Sequence, residues 1–527
     1  MWVETDSECE VEVLGCRDRT FEVAGHHYAL VHLTGLAEGA ETPYAVSLNG
    51  LPMWPPSDDT RAGTIRTLRD DAPLRLAFGS CRVAVPHEPP YTLTKDEDEE
   101  GKGSDALYAL AMRMMSQASG LWPHALVMLG DQVYADEGSP AAREFIRGRR
   151  DVERAPGIET ADFEEYTRLY WESWREPTIR WLFSTVPSTM IFDDHEVADD
   201  WNSSQAWMDE QWRLPWYRER LISAYMSYWI YQHIGNLSPT ELAADAQWRA
   251  VRAATGDAEP VLRAFAERAA RSPDGTLWSF SRDFGRTRLV VVDSRGGRLL
   301  AEDRRRMVDD AQWRWIVEHA RGDVDHLLIG SSLPVFLVQG VHYLESWNEA
   351  VCGGAWGRIA ARLGERLRRA FDLEHWPAFH ASFDQMVALL GAVGGGARGT
   401  APATVVMLGG DVHHAYIAQV GFPARAGVTS AVYQAVCSPF RNPLDARERR
   451  VVRMLASRTA GRITRLMARA AGIPDPAVRW RLAAGPLFDN QVGTIETDGR
   501  RCRIRIEKVD TAAERPRLST TITHRLA

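Results

Sequence analysis

Acidic, phenolic and histidine side chains follow several short apolar runs of this chain. The clearest run extends from Ala125 to Leu129, and Gly130 ends it just before Asp131 and Tyr134. Five successive apolar residues indicate a strand that is buried on both faces. Ligands of open α/β sheets bind at the carboxyl ends of strands, so this loop is a candidate binding site.

Two further apolar runs, 188–192 and 404–408, end in dense clusters of ionisable residues. These clusters contain Asp193, Asp194, His195, Glu196, Asp411 and His413. Several carboxylates so close together repel one another unless cations neutralise them. In an extended chain Asp411 and His413 project from the same face, as two groups that grip a metal pair would. We therefore predict one metal site that is assembled from several strand ends.

The run 74–78 leads into a cysteine and an arginine, Cys81 and Arg82. A thiolate at a strand end is a competent metal ligand, and Arg82 could hold a phosphate oxygen. Taken alone, three of these candidate ligands also have a structural interpretation. Cys81 would be a small core residue, Asp131 a turn residue and Tyr134 a core aromatic.

Two further strand ends, 293–295 and 331–334, add polar groups and are interpreted mainly as scaffold. Asp293 and Arg295 follow another apolar run and are predicted to brace the floor of the site. His342, Glu345 and Trp347 are predicted to lie on a long loop that could serve as a lid.

Length and composition restrict the class of protein. A chain of 527 residues exceeds one compact core, so at least two domains are expected. Its hydrophobic fraction of 45% and charged fraction of 25% are typical of a soluble protein. The net charge of −9 argues against general nucleic-acid binding. No apolar run approaches the ~20 residues that a transmembrane span requires.

The N-terminus and the cysteines predict a cytoplasmic location. The first eight residues are rich in acidic side chains and lack the basic region and apolar core of a secretion signal. No CxxC pair occurs, so free thiols are favoured over disulfides. The cysteines are Cys9, Cys16, Cys81, Cys352, Cys437 and Cys502.

The pattern of the chain changes near residue 70. Residues 1–70 alternate short polar and apolar runs with turns, which predicts a small antiparallel β domain. From 71 to 527 strands alternate with helices, which predicts an α/β domain. Strands are predicted at 74–78, 125–129, 188–192, 287–292, 326–330, 404–408, 429–436, 491–495 and 502–508. Helices are predicted at 104–119, 163–183, 211–234, 258–270, 310–320, 357–371 and 378–391.

The segment 445–471 is predicted to form one arginine-rich helix. A basic amphipathic helix could lie on a membrane surface. The arginines are distributed around a single continuous helix, however, which favours a plain surface or packing helix over peripheral membrane contact.

Taken in order, these motifs resemble the PhoD-like alkaline phosphatases, a branch of the calcineurin-like metallophosphoesterase superfamily. The matching stretches are 78–82, 129–134, 192–197 and 409–413. The resemblance covers about residues 75–510 and implies a mixed α/β (α+β) fold. Its core would be two packed sheets flanked by helices, preceded by a small N-terminal β-sandwich.

The resemblance also implies a set of metal ligands. These are Cys81, Asp131, Tyr134, Asp194, Asp411 and His413. Cys81 and Tyr134 match iron ligands of the family, and Asp131 matches the carboxylate that bridges both ions. The carboxylate-rich remainder favours a hard second cation, so Fe³⁺ plus Ca²⁺ or another divalent ion is expected. Asp199 and Asp200 stand where the family has asparagines, which leaves their role open.

The function implied is hydrolysis of phosphate esters by a metal-activated hydroxide. His195 matches the catalytic histidine and would protonate the leaving oxygen, while Arg82 would steady the phosphate. Monoester and diester substrates both remain open, and a phospholipid-directed phosphodiesterase is one alternative. A non-catalytic metal-containing binding module is another. The family is typically exported, in contrast to the expected cytoplasmic location.

Overall fold

The computed structural model describes residues 1–56, 63–272, 276–510 and 515–527. Its strands are β1 (Trp2–Thr5), β2 (Glu10–Val13), β3 (Cys16–Arg19), β4 (Phe21–Val23), β5 (His26–Leu30), β6 (Glu41–Tyr44), β7 (Val46–Leu48), β8 (Leu51–Trp54), β9 (Gly63–Arg66), β10 (Leu74–Gly79), β11 (Ala125–Leu129), β12 (Ser188–Ile191), β13 (Phe280–Phe284), β14 (Thr287–Val292), β15 (His326–Ser331), β16 (Thr404–Gly409), β17 (Ala415–Gly421), β18 (Ala431–Val436), β19 (Arg479–Leu487), β20 (Gln491–Asp498), β21 (Arg501–Asp510) and β22 (Arg517–Arg525). Its helices are α1 (Ala106–Met115), α2 (Pro140–Arg149), α3 (Phe163–Arg175), α4 (Pro177–Thr185), α5 (Gln205–Gln211), α6 (Tyr217–Tyr228), α7 (Ile234–Asn236), α8 (Pro239–Ala244), α9 (Ala246–Ala253), α10 (Glu259–Arg271), α11 (Asp310–His319), α12 (Gln339–Cys352), α13 (Gly357–Ala370), α14 (His380–Gly394), α15 (Ala446–Leu455) and α16 (Arg458–Ala470).

Two large sheets form the core. The six-stranded sheet has the order β12-β11-β10-β20-β21-β22, with β10, β11 and β12 parallel. The seven-stranded sheet has the order β13-β14-β15-β16-β18-β17-β19, with β14, β15, β16 and β18 parallel. The parallel strands are buried along their whole length, as their apolar sequences require.

The two sheets pack face to face and are covered by helices outside. Val127 and Leu129 of the first sheet share one apolar cluster with Leu328 and Val406 of the second. On the outer faces, α1 and α4 cover the six-stranded sheet, and α11 and α14 cover the seven-stranded sheet. This helix-flanked sandwich confirms the predicted α/β (α+β) fold class.

The N-terminal region is all-β, as predicted. Strands β1–β9 form three small sheets, and β9 ends eight residues before β10 begins. One of these sheets packs on the α/β region through Tyr28, whose hydroxyl lies 3.2 Å from that of Tyr231. Tyr231 also donates a hydrogen bond to Glu4 at 2.8 Å. The domain boundary at residue 70 stays a prediction.

Three predicted helices are interrupted in the structure. The predicted helix 163–183 divides into α3 and α4 at Pro177, because proline begins a new helix more readily than it continues one. The predicted helix 211–234 contains a five-residue π-helix, Trp229–His233, between α6 and α7. The predicted helix 445–471 divides into α15 and α16, where the Ser457 side chain accepts a hydrogen bond from the Ala460 amide.

The predicted lid is wrong. His342, Glu345 and Trp347 lie on the regular helix α12 and are buried. Buried polar residues such as His342 and Glu345 interrupt the apolar period of this helix, so its pattern resembled that of a loop.

Neither disulfides nor membrane spans contribute to this architecture in the described ranges. All six cysteines carry free thiols. None of the helices among the described residues has both the length and the apolar character needed to cross a membrane.

Candidate metal centre

The loops after β10, β11 and β16 meet at one edge of the sandwich. The Cys81 amide donates to the Gly130 carbonyl at 3.2 Å, and the Asp411 amide donates to Ser80 Oγ at 2.9 Å. Gly410 lies so close to Ser80 that a Cβ atom would collide with it. The three strand ends therefore form one continuous floor.

Three groups of side chains on this floor could each hold a metal ion, with ligand atoms within 4.8 Å of one another. The groups are Cys81, Asp131 and His413; Asp131, Asp194 and His195; and Asp193, Asp194 and Asp411. The side chains predicted to gather around a cation pair thus converge, and Asp131 and Asp194 each belong to two groups. Asp193 joins them, although it was not assigned as a ligand from the sequence.

Tyr134 completes the first group. Its hydroxyl lies 3.4 Å from Asp131 Oδ2 and accepts a hydrogen bond from the Asn442 amide at 3.4 Å. Its ring centroid is 4.4 Å from that of His195. We call Cys81, Asp131, Tyr134 and His413 the cysteine cluster.

Four residues of the floor adopt left-handed backbone conformations. The φ angles are 57° at Cys81, 51° at Asp131, 64° at Asp411 and 51° at His413. Such conformations cost of order 1–3 kcal/mol each for residues other than glycine and persist where the surroundings enforce them. They turn the side chains toward one centre immediately after the strands end.

The Glu196 carboxylate enforces part of this geometry. It accepts hydrogen bonds from the backbone amides of Gln132 and Asp193, both at 2.8 Å, and of Asp131 at 3.2 Å. The side-chain amide of Gln232, in the π-helix, donates to Glu196 at 3.1 Å. Glu196 therefore positions two ligand loops at once, a role that its sequence motif did not reveal.

The cysteine cluster fits a cation because its acceptors are buried and incompletely paired. Asp131 Oδ1 is buried and has no hydrogen-bond partner among the described residues. Burial raises the pKa of Asp131 well above its ordinary value, and burial together with Asp131 and Asp411 does the same for the Cys81 thiol. A bound cation would reverse both shifts and deprotonate the thiol.

The two histidines of the site have opposite protonation preferences. Burial lowers the pKa of His413 to about 3, so its ring is neutral and offers a lone pair to a metal. Burial also disfavours a charge on His195, but three carboxylates outweigh it and raise the pKa well above the ordinary value. They are Asp136, which lies 3.0 Å from Nδ1, and also Asp194 and Asp131. His413 is thus suited to ligation and His195 to proton donation. Asp136 was missed in the sequence because nothing local links it to His195.

A buried arginine occupies the other half of the floor. Arg295 pairs with Asp193 and Glu374, and its Nη2 lies 3.2 Å from carboxylate oxygens of both Asp194 and Asp411. We call these four acids and Arg295 the arginine cluster. Arg295 was predicted only to brace the floor of the site. It also pairs with two predicted metal ligands, Asp194 and Asp411.

A buried histidine supports Asp411 from behind. His375 Nε2 lies 3.0 Å from Asp411 Oδ2, and His375 Nδ1 lies 2.7 Å from Glu345. Burial opposes ionisation of Asp411, but His375 and Arg295 lower its pKa well below the ordinary value. The predicted brace Asp293 holds the loop beneath, accepting from the Arg295 amide at 2.9 Å.

The position of Arg82 corrects the prediction that it steadies the phosphate. Its side chain is buried, and its guanidinium donates to Asp105 and to the Ser173 carbonyl, both at 2.8 Å. Neither Asp105 nor Ser173 belongs to the ligand groups. Backbone geometry explains the error, because Cys81 and Arg82 are neighbours in sequence whose side chains diverge.

Asp199 and Asp200 lie beside the ligand groups. The Asp199 carboxylate is largely exposed and 3.7 Å from His195 Nε2, and the Asp200 amide donates to Asp194 Oδ2 at 3.2 Å. Neither belongs to the three groups found among the described residues.

Comparison with known proteins identifies the family. The family model described as "PhoD-like phosphatase" matches residues 102–460. The chain belongs to the PhoD-like phosphatase family. It is therefore a phosphoric ester hydrolase, and the alternative of a non-catalytic module is set aside. PhoD-like phosphatases are metal-dependent, and the ligand groups described above fit that dependence. The matched span contains Asp131, His195 and His413 and begins after Cys81.

The fold agrees with that of one solved structure. A structure described as "Structure of PhoD" superposes with a TM-score of 0.57 at 12% identity, covering 98% of this chain and 83% of that one. Residues 1–65 match a domain of unknown function, DUF7800. No curated protein matches the chain.

Proposed function

We propose that this PhoD-like phosphatase hydrolyses phosphate esters at a two-cation centre. The cysteine cluster would hold one ion, and Asp194 and Asp411 would hold the other, with Asp131 between them. The supporting observation is the buried, unpartnered Oδ1 of Asp131, a residue that two of the ligand groups share. A buried carboxylate oxygen without a donor is expected where a cation completes its coordination.

The donor sets suggest two different ions. A thiolate, a phenolate and an imidazole together suit a transition metal, and we propose Fe³⁺. The all-carboxylate set suits a hard divalent ion such as Ca²⁺. When bound, such ions lower the pKa of a coordinated water and offset the charge that develops on the phosphoryl oxygens.

The protein residues would orient the reaction and supply a proton. Asp136 fixes the orientation of the His195 ring and favours its protonated form. His195 then donates its proton to the departing ester oxygen. Glu196 fixes the Asp131 and Asp193 loops relative to each other, so the ligands are preorganised.

Metal analysis and turnover on the same sample test this proposal. Purified protein should contain iron and a second divalent ion, hydrolyse an aryl phosphate or an aryl phosphodiester, and lose activity with a chelator. The ratio of the two rates would assign the enzyme as a monoesterase or a diesterase. Full activity in a thoroughly chelated, metal-free sample would disprove the two-cation proposal.

A spectroscopic comparison tests the identity of the first ion. A phenolate bound to Fe³⁺ absorbs visible light, so the iron-loaded protein should be coloured. Tyr134→Phe should lose this band, whereas Tyr166→Phe, a buried tyrosine that donates to the Glu196 carbonyl at 2.7 Å, should keep it. A colourless iron-loaded protein would contradict ligation by Tyr134.

A further inference from the structure

The helices α13, α15 and α16 carry large apolar side chains on their outer surfaces. The exposed side chains are Ile359, Leu363 and Phe371 at α13, Val451 and Met454 on α15, and Ile463 and Leu466 on α16. Ile359 is 78% exposed, Leu466 63% and Met454 60%. Ile359 and Leu363 are four residues apart, and the pairs on α15 and α16 are three apart, so each pair shares one side of its helix. Clustered exposed apolar residues of this size mark an interaction surface.

The inner faces of two of these helices are fixed on α12. Gly364 of α13 lies against Cys352, and Gly461 of α16 lies against Gln339, at distances where a Cβ atom would be in tight contact. Ala468 of α16 packs with Trp347 of α12. The exposed apolar side chains of α13 and α16 therefore do not belong to the helix faces that pack on α12, because other residues of these helices make that contact.

Arginines accompany the apolar stripe of α16. Arg458, Arg462, Arg465 and Arg469 are spaced by three or four residues and share one side of the helix, next to Ile463 and Leu466. This corrects the prediction that the arginines surround one continuous helix, since the break at Ser457 gives α16 its own register. Arg465 and Arg469 pair with Asp475.

Most of the other arginines on these helices lack acidic partners. Among the described residues, no carboxylate lies within ion-pairing distance of a group of exposed arginines. The group is Arg358, Arg362, Arg366, Arg447, Arg450, Arg458 and Arg462. The protein as a whole has a net charge of −9, so this group of unpaired arginines is a local excess of positive charge.

We propose that α13, α15 and α16 form a docking surface for an anionic phospholipid bilayer. Guanidinium groups bind lipid phosphates, and the neighbouring Ile, Leu, Met and Phe side chains enter the acyl boundary. A second copy of the chain fits less well, because a two-fold contact through this surface would oppose one arginine row to another.

Helix α12 places this surface near the metal centre. Its Glu345 holds His375 behind Asp411, while its Tyr343 and Trp347 pack toward α16. One helix thus contacts both the ligand support and the docking surface. Docking is nevertheless independent of the proposed metal chemistry, because none of the docking side chains belongs to the ligand groups.

Vesicle sedimentation of the full chain tests the proposal. The protein should sediment with phosphatidylcholine vesicles that contain phosphatidylglycerol and weakly with phosphatidylcholine alone. The double variant Ile463→Ser/Leu466→Ser should bind roughly tenfold or more weakly, because two apolar side chains no longer enter the boundary. Arg458→Gln/Arg462→Gln should weaken binding by roughly tenfold and reduce its salt sensitivity.

A matched control uses exposed apolar residues elsewhere. Leu51 and Met53 of the N-terminal region are 67% and 57% exposed, so Leu51→Ser/Met53→Ser should bind vesicles as the wild type does. All variants should hydrolyse a soluble aryl phosphate at the wild-type rate, which also shows that they fold. Equal binding by Ile463→Ser/Leu466→Ser and wild type would overturn the proposal. So would failure of the wild type to bind anionic vesicles, or a lipid-free dimer that this variant dissociates.

Discussion

The cysteine cluster and the arginine cluster lie on one floor and handle buried negative charge in different ways. In the cysteine cluster none of the described arginine or lysine side chains pairs with Asp131, and burial raises its pKa although the nearby His195 opposes the rise. In the arginine cluster Arg295 contacts four carboxylates, and with His375 it lowers the pKa of Asp411 in spite of burial. The first cluster lacks a positive charge, whereas the second already contains one.

This difference predicts unequal dependence on metal. A buried carboxylate without a counter-charge favours protonation unless a cation arrives, so the cysteine cluster should bind its ion tightly and release protons as it does so. In the arginine cluster the pKa values of Asp411 and Glu374 are lowered, whereas burial raises those of Asp193 and Asp194. A cation there must also share Asp194 and Asp411 with Arg295. We expect that second ion to exchange more readily.

The largest effect should come from Asp131→Ala, because this carboxylate shares one ligand group with Cys81 and His413 and another with Asp194. The variant should lose both ions, and kcat should fall on the order of 10³-fold or more as charge stabilisation disappears. Metal content and turnover are measured together. Asp199→Asn, beside the site but outside the ligand groups, should retain both ions. Wild-type turnover by Asp131→Ala would remove the comparison altogether.

Arg295→Met would test whether the arginine replaces a cation. Removing one partner of a buried ion network costs about 3–5 kcal/mol, so the metal-free variant should unfold at a lower urea concentration. Added divalent cation should recover more stability in the variant than in the wild type. Arg305→Met is the matched control, because this buried guanidinium donates to the Ala378 and Ser203 carbonyls. Cation rescue of both variants alike would count against the replacement.

His375→Gln should affect the second ion selectively. Residues that orient a ligand typically change metal affinity about 10–100-fold when removed, and His375 contacts Asp411 alone among the proposed ligands. A divalent-cation titration should show this loss while the iron content is unchanged. His326→Gln, a buried histidine bonded to Thr404 away from the floor, should titrate as the wild type does. Loss of iron from His375→Gln would show that the clusters are not separable.

The smallest effect should be a shift in the pH profile of Asp136→Asn. Asp136 raises the pKa of His195, so a neutral asparagine lowers it and less His195 is protonated at a given alkaline pH. The alkaline limb of kcat should therefore move to lower pH. Glu137→Gln, whose parent side chain pairs with Lys102 at 2.5 Å, should leave the limb in place. An unmoved limb in Asp136→Asn would assign the proton donor elsewhere.

The strand ends of the site could be predicted because their signal is local. Runs such as 125–129 are apolar on both faces and stop abruptly at residues that bind ions, which places Asp131 at a sheet edge without any knowledge of the partners. The fold class followed from the alternation of such runs with amphipathic helices. The predicted ligands converge for the same reason, since parallel strands end at a common edge.

The supports of the ligands could not be predicted in this way. Arg295 reaches acids that precede it by about a hundred residues and follow it by about eighty or more, and no local pattern encodes such contacts. His375 was likewise assigned no function. Helix α12 was missed because its buried face carries polar residues such as Glu345 where it meets the site. These polar residues support the metal centre, but they interrupt the apolar pattern by which a helix is predicted.

The π-helix Trp229–His233 has a consequence for the domain of unknown function. Its neighbouring residues Tyr231 and Gln232 face different tasks, since Tyr231 bonds Glu4 of the first strand and Gln232 bonds the Glu196 that fixes two loops. Adjacent side chains of a helix project in different directions, so this one segment contacts both surroundings. The amino-terminal strands therefore support, through this helical segment, the loops that carry Asp131 and Asp193. An enzyme that lacks these strands would hold the two loops less rigidly.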